Sequence, residues 1–287
     1  MEHFIENEYL RVGCKSLGGC LCSIYDKVSD EELLYQPEPD SWQGQDIAIF
    51  PFVARLKGKT YIYKGKEYSL KNHGLCRYYE FTLVEQSATS MRLRFQSNDD
   101  TMKEYPFPFS FEVNYRLENK KLIVSYGVHN TGEEMIPFGL GAHPAFRLDP
   151  DENNGSYIAL DKKTKLTRIV FDEKGEFVRG EEPYGEMEQI RYGKDIIKAY
   201  QTLCVYGDGL NHVTLCRRNG KKIDFHYEDI HYFVLWSFPE TGNFVAIEPW
   251  MSLPDYEDCD PDILKKKTLI HLDAGDAYHF SYSISPR

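Results

Sequence analysis

Three observations predict an all-β protein, a large antiparallel β-sandwich with few short helices: strict period-two alternation, closely spaced turn signals, and an abundance of aromatic and β-branched residues. The alternation is clearest in FSFEVNYRL, residues 109–117, where Phe109, Phe111, Val113, Tyr115 and Leu117 interleave with Ser110, Glu112, Asn114 and Arg116. An apolar side chain at every second position gives a strand one face in a core and the other in water. The chain holds 21 Tyr and 17 Phe, and aromatics make up 14% of it, a composition that favours sheet.

The other strands follow in chain order. YIYKGKEYSL folds about Lys64-Gly65, and FTLVEQ and MRLRFQ flank SATS. ENKK turns FSFEVNYRL into LIVSYGVHN, residues 122–130, which stops at Asn130-Thr131-Gly132. VTLCRRNGKKIDFHY folds about Asn219-Gly220, and HYFVLWSF runs up to Pro239. Glycine after a polar residue is the usual signal of a hairpin turn. Two short helices are predicted, in KDIIKAYQTL after Gly193 and in PDILKKK after Asp260. No βαβ rhythm occurs, which argues against a doubly wound nucleotide fold. DPDENNGS, residues 149–156, is the best place for a boundary, yet similar strands lie on both sides of it. It reads as a surface loop within a single domain, 1–287.

At 287 residues the chain is long enough for a sizeable core, and its net charge of −11 comes with no block of Lys and Arg to follow a phosphate backbone. Nucleic acid is therefore not an expected partner. The start, MEHFIENEYLRVG, has no basic, apolar leader, and no run of about 18 apolar residues occurs, so neither a membrane nor secretion by a signal peptide is expected. Seven cysteines without a CxxC pair suit reduced thiols in a cytoplasmic protein. Cys20 and Cys22 share one strand face, for which packing is the ordinary explanation.

Four islands break the alternation: FPFVARLKG with Arg55, NHGLCR with His73 and Arg77, GLGAHPAFRL with His143, and VAIEPWMSLPD with Glu248. Each sets an ionisable group among apolar residues or glycine, where desolvation shifts its pKa. A lone His beside Gly is more often structural than catalytic, and Glu248 and Arg55 are equally compatible with a quiet ion pair. Pro144 holds His143 in an extended conformation, which favours fixed placement. His73 and Gly74 interrupt a stretch, YSLKNHGLCRYYEF, otherwise suited to a strand.

In order and spacing these four islands resemble the aldose 1-epimerase (galactose mutarotase) family, with LGGCLCSIYDK standing where the family has an early GG strand. FRL after His143 and LPD after Glu248 strengthen the likeness. The resemblance implies a galactose mutarotase-like supersandwich with an open cleft, and interconversion of the α and β anomers of a hexose. It implies Glu248 as general base, His143 as general acid, His73 as an auxiliary group and Arg55 as a substrate-binding residue. Arg77 matches only relatives that read His-Gly-x-x-Arg, some of which act on hexose 6-phosphates.

The family's sugar-binding aspartate has no matching motif here, and Asp208 and Asp224 are the stand-ins considered. Trp236 and Trp250 flank the Glu248 region as faces for a sugar ring, with packing between sheets as the equal alternative. Trp42 carries no assignment. The chemistry needs one acid and one base and neither metal nor other cofactor. His73, His143 and Glu248 would make a two-His, one-carboxylate metal set, but no HxH or HExxH motif accompanies them, and His226 and His231 are not expected to share a face. The expected partner is a small sugar, an aldohexose or a hexose phosphate. A sugar-binding sandwich without turnover is the competing class.

Overall fold

Segments with period-two patterning form the strands that pattern predicts. Phe109–Glu118 and Lys121–Asn130 pair antiparallel over their full length, from Phe109 opposite Asn130 to Glu118 opposite Lys121. The hairpins about Lys64-Gly65 and Asn219-Gly220 also form, as Thr60–Tyr63 with Lys66–Ser69 and His212–Cys216 with Lys222–Tyr227. This architecture is seen in a computed structural model that describes residues 1–148, 155–200, 202–238 and 242–287. Most of the predicted loop at 149–156 lies outside them.

Fifteen strands among the described residues join one antiparallel sheet, and a smaller four-stranded sheet carries the N-terminal segments Glu2–Glu6 and Leu10–Lys15. The large sheet doubles over on itself. Phe50, beside one edge of the sheet, has its ring 4.9 Å from that of Phe109 and 5.2 Å from that of Phe111, near the other edge. Phe146 likewise meets Phe225 at 4.9 Å. The inward faces of the two halves thus share a core rich in Phe and Tyr, the arrangement of a β-sandwich.

Helix is confined to short pieces. KDIIKAYQTL is helical only over Lys194–Tyr200, and Thr202–Tyr206 is a strand. PDILKKK provides a single 3-10 turn at Ile263–Lys265, and Thr101–Glu104 forms a one-turn helix that the sequence pattern does not announce. A larger departure is the ribbon of Tyr157–Phe171 and Val178–Arg191, which the sequence pattern does not reveal. Its outer part is largely exposed, so charged residues on both faces hide the period.

Asp46 is an anomaly within this core. It is buried, and its Oδ2 accepts the Leu21 N–H at 3.0 Å. No cation pairs with it among the described residues, and burial raises its pKa to about 6. The phenols of Tyr115, Tyr126 and Tyr282, buried themselves, are pushed up further by its charge. The folded state therefore holds the Asp46 proton more tightly than the unfolded chain, whose carboxyl titrates near ~3.9. That contribution is fully present below about pH 4 and is lost as the pH rises through 6. Asp46→Asn keeps an acceptor for Leu21 and carries no charge. Its stability relative to the parent should rise between pH 4 and pH 8 by about 3 kcal/mol, read by denaturant unfolding at each pH. A pH-independent difference would contradict this account of the residue.

Candidate functional site

Strand register places two of the islands face to face. Gly141–Ala142 and Ala145–Arg147 both pair with Phe244–Trp250, with Gly141 opposite Trp250 and Ala145 opposite Ala246. His143, midway between them, must then lie across from Glu248. Its Nε2 is 3.3 Å from Glu248 Oε1. Glu248 is 1% exposed and His143 5%. Trp250, two residues along the strand from Glu248 and so on the same face, donates its Nε1–H to Glu248 Oε2 at 2.9 Å. This bond fixes the carboxyl plane and leaves Oε1 for His143.

Burial acts on this pair in opposite senses. It raises Glu248 well above the usual carboxylate range, against the Trp250 hydrogen bond and with a smaller push from the Asp46 charge. It lowers His143 to about 3, with the Arg77 charge adding to the effect. Burial thus favours the neutral form of each, a carboxylic acid and a neutral imidazole. The resemblance assigns the carboxylate as base and the imidazolium as acid, whereas burial favours the proton on the carboxyl. One hydrogen-bonded contact accommodates either placement.

His73 reaches the same place by a different route. The strand Lys66–Ser69 ends, and the chain turns through His73 at φ +60° and Gly74 at φ +75°. Two successive left-handed residues explain the interruption in YSLKNHGLCRYYEF. A Cβ on Gly74 would come within 2.3 Å of the Phe50 carbonyl oxygen, which accepts the Leu75 N–H at 2.7 Å. The Ala54 N–H points at His73 Nδ1, 3.3 Å away. A backbone amide only donates, so Nδ1 accepts and the ring proton sits on Nε2. Burial, helped by His143, Arg77 and Arg55, lowers the His73 pKa well below the usual histidine value, so the ring is neutral. Its centroid lies 5.4 Å from that of His143, nearly perpendicular to it.

These groups floor a cavity of about 330 Å³, within the range of small-molecule sites. Arg55, Arg77, Trp236 and Trp250 also line it, so all seven residues singled out in the sequence meet there. Arg55 is not the partner of Glu248, as a quiet ion pair would require. It stands at the mouth, its side chain 48% exposed, with its Nη1 bonded to Glu176. Arg77 leans over the Tyr78 ring and has no carboxylate partner among the described residues. Trp250 is bound to Glu248 through its Nε1–H, while Trp236 sits edge-on to His143 at 5.4 Å.

Neither aspartate considered as a stand-in is in the cavity. Asp224 lies on the strand Lys222–Tyr227, where its Oδ1 accepts a hydrogen bond from the Thr214 hydroxyl at 2.7 Å and its carboxylate pairs with Arg287. Asp208 is in the turn after Thr202–Tyr206 and does not line the cavity. His226 stacks on His212, and the His231 Nδ1–H donates to the Met251 carbonyl, so those two histidines stand apart. Among the described residues no set of three or more His, Cys, Asp or Glu side chains is arranged to hold a metal ion.

Several cavity residues escaped the sequence. Trp42 covers His143 at 4.9 Å between centroids and meets Trp236 edge-on at 5.5 Å. Its nearby signal was Gly44, where a Cβ would come within 2.4 Å of the indole. Asn72 offers a buried Oδ1 without a protein partner. Lys174 and Glu176 come from the unpredicted ribbon's turn.

A profile of the family described as aldose 1-epimerase matches residues 3–285. The chain belongs to the aldose 1-epimerase family. It is 30% identical over 261 residues to protein LacX of Lactococcus lactis subsp. lactis, in its plasmid form, covering 87% of each chain. A galactose mutarotase related enzyme from Lactobacillus acidophilus has the same fold at a TM-score of 0.95 and 29% identity, over 100% of this chain and 97% of that one. A galactose mutarotase-like protein from Lactobacillus casei ATCC 334 superposes at 0.92 with 24% identity over both entire chains, which bears on fold alone.

The Gly74 turn has a direct test. Gly74→Ala sets a methyl against the Phe50 carbonyl at a strained φ, and should destabilise the protein by roughly 2–4 kcal/mol in urea unfolding. An unchanged midpoint would mean that the turn tolerates a side chain.

Proposed function

We propose that the protein is a mutarotase that interconverts the α and β anomers of an aldohexose by general acid/base ring opening. The observation that carries the reading is the buried contact of His143 Nε2 with Glu248 Oε1 at 3.3 Å on the cavity floor. Opening a pyranose takes the proton from the C1 hydroxyl, gives one to the ring oxygen and breaks the bond between C1 and that oxygen. Both oxygens are bonded to C1, so an acid and a base that touch each other in the free protein are spaced to reach both. The aldehyde turns about C1–C2 and closes on its other face while the two groups exchange roles. The chemistry asks for no covalent intermediate and no cofactor.

Neighbouring residues support this use. His73, protonated on Nε2, has a donor for a sugar oxygen, and Trp42 and Trp236 give the apolar C–H face of a hexose a surface to cover. A second reading, a hexose phosphate as substrate, is favoured by one observation. Arg77 and Lys174 both line the cavity, and neither has a carboxylate partner among the described residues.

Glu248→Gln keeps the size and the acceptor for Trp250 and removes the exchangeable proton. It should retain sugar binding and lose about 10² to 10⁴ in kcat, followed by polarimetry of freshly dissolved α-anomer with spontaneous mutarotation subtracted. Equal activity in variant and parent would rule out the assignment, and no acceleration by the parent with any aldose or hexose phosphate would leave a sugar-binding protein.

The pH profile tests the shared proton. The active pair carries one proton; His143 is lowered and Glu248 raised, so a second proton binds only in acid and the first leaves only above the ordinary carboxylate range. The kcat/KM should therefore not fall as the pH is lowered from 7 past 6. A fall centred on the ordinary imidazole pKa, near ~6.5, would contradict it.

A further inference from the structure

The mouth of the cavity carries three cationic side chains, Arg55, Arg77 and Lys174, and one carboxylate, Glu176. Glu248, the other lining carboxyl, lies on the floor with His143 and Trp250. Glu176 is not a loose surface residue. It belongs to the turn that joins Tyr157–Phe171 to Val178–Arg191, and Asp172 ties that turn at both levels. Asp172 Oδ1 accepts the Glu176 N–H at 2.6 Å and the Phe177 N–H at 3.3 Å, and the Asp172 N–H donates to the Phe177 carbonyl at 2.8 Å. The carboxylate so placed takes the Arg55 Nη1–H. Arg55 is itself anchored, since its carbonyl accepts the Asp255 N–H at 3.3 Å.

We infer that Glu176 is a specificity residue: by holding the Arg55 guanidinium it keeps the cavity mouth suited to the hydroxyls of an uncharged hexose and disfavours a phosphorylated one. This rests on the mutarotase reading and decides between its two substrate classes. A carboxylate beside a guanidinium offers an acceptor and donors together, the combination that a pair of neighbouring sugar hydroxyls uses. The phosphoryl group of a hexose phosphate, mainly dianionic at neutral pH, offers chiefly acceptors, is repelled by Glu176, and must compete with it for Arg55. Without Glu176, Arg55 joins Arg77 and Lys174 as a third unpaired cation. The mouth then matches a phosphate.

The test uses the whole protein as parent, Glu176→Gln and Lys174→Ala. Anomer exchange of glucose and of glucose 6-phosphate is measured by saturation-transfer NMR, and inorganic phosphate affinity by calorimetry, each at low and at high salt. Glu176→Gln should tighten inorganic phosphate, and raise the ratio of kcat/KM for the phosphorylated over the free sugar, by about 5-fold at low salt, the upper end for releasing an exposed ion pair. The gain should shrink as salt screens the charges. Lys174→Ala should move both quantities the other way. A ratio and a phosphate affinity unchanged in Glu176→Gln would overturn the inference. Should the parent accelerate neither these nor any other aldose or hexose phosphate, the mutarotase reading fails on its own, and the phosphate affinities of parent and variant still decide whether Glu176 controls the charge of the mouth.

Discussion

The contact between His143 and Glu248 depends on antiparallel register. Once Gly141 faces Trp250 and Ala145 faces Ala246, His143 has no place to go except opposite Glu248. A slip of one residue by either strand would turn its side chain to the other face of the sheet and part the two groups. Pro144 helps hold that register, because it cannot donate to the ladder while its carbonyl still accepts the Ile247 N–H at 3.0 Å. The acid/base contact is thus a property of backbone pairing, made before any loop is considered, and strands on either side of Phe244–Trp250 brace it.

Burial is the second determinant. Ionised forms are poorly solvated in this place, so burial favours the neutral form of both groups. Asp46 extends the pattern to the reverse side of the segment that pairs with Gly141–Ala142. Its charge adds to the pressure that keeps Glu248 protonated. A buried carboxyl without a cation costs stability, and here that cost is coupled to the proton affinity of the site.

The half-buried strands were legible because one face meets the core and the other water, as in Phe109–Glu118. The functional islands were legible because they break that rhythm with His, Arg and Glu among apolar residues. Tyr157–Phe171 and Val178–Arg191 were not, since exposure on both faces removes the alternation; with them went Lys174 and Glu176. Trp42 and Asn72 were missed because an aromatic or an amide in a loop has no period, and their use shows only when distant segments meet. Asp224 attracted notice as a carboxylate in the right interval of sequence, but its strand direction points it to Thr214 and Arg287 instead. Direction of a side chain is set by tertiary pairing, and spacing alone does not supply it.

The ribbon that brings Glu176 to the cavity holds its own ladder from Tyr157–Arg191 to Phe171–Val178, separated by two strands of the same sheet from the strand that carries Glu248. Its turn contributes Lys174 and Glu176 to the lining of the cavity, whereas Glu248 and His143 come from strands that pair elsewhere in the sheet. On the mutarotase reading proposed above, selection of the sugar and opening of its ring would then rest on different segments of the chain.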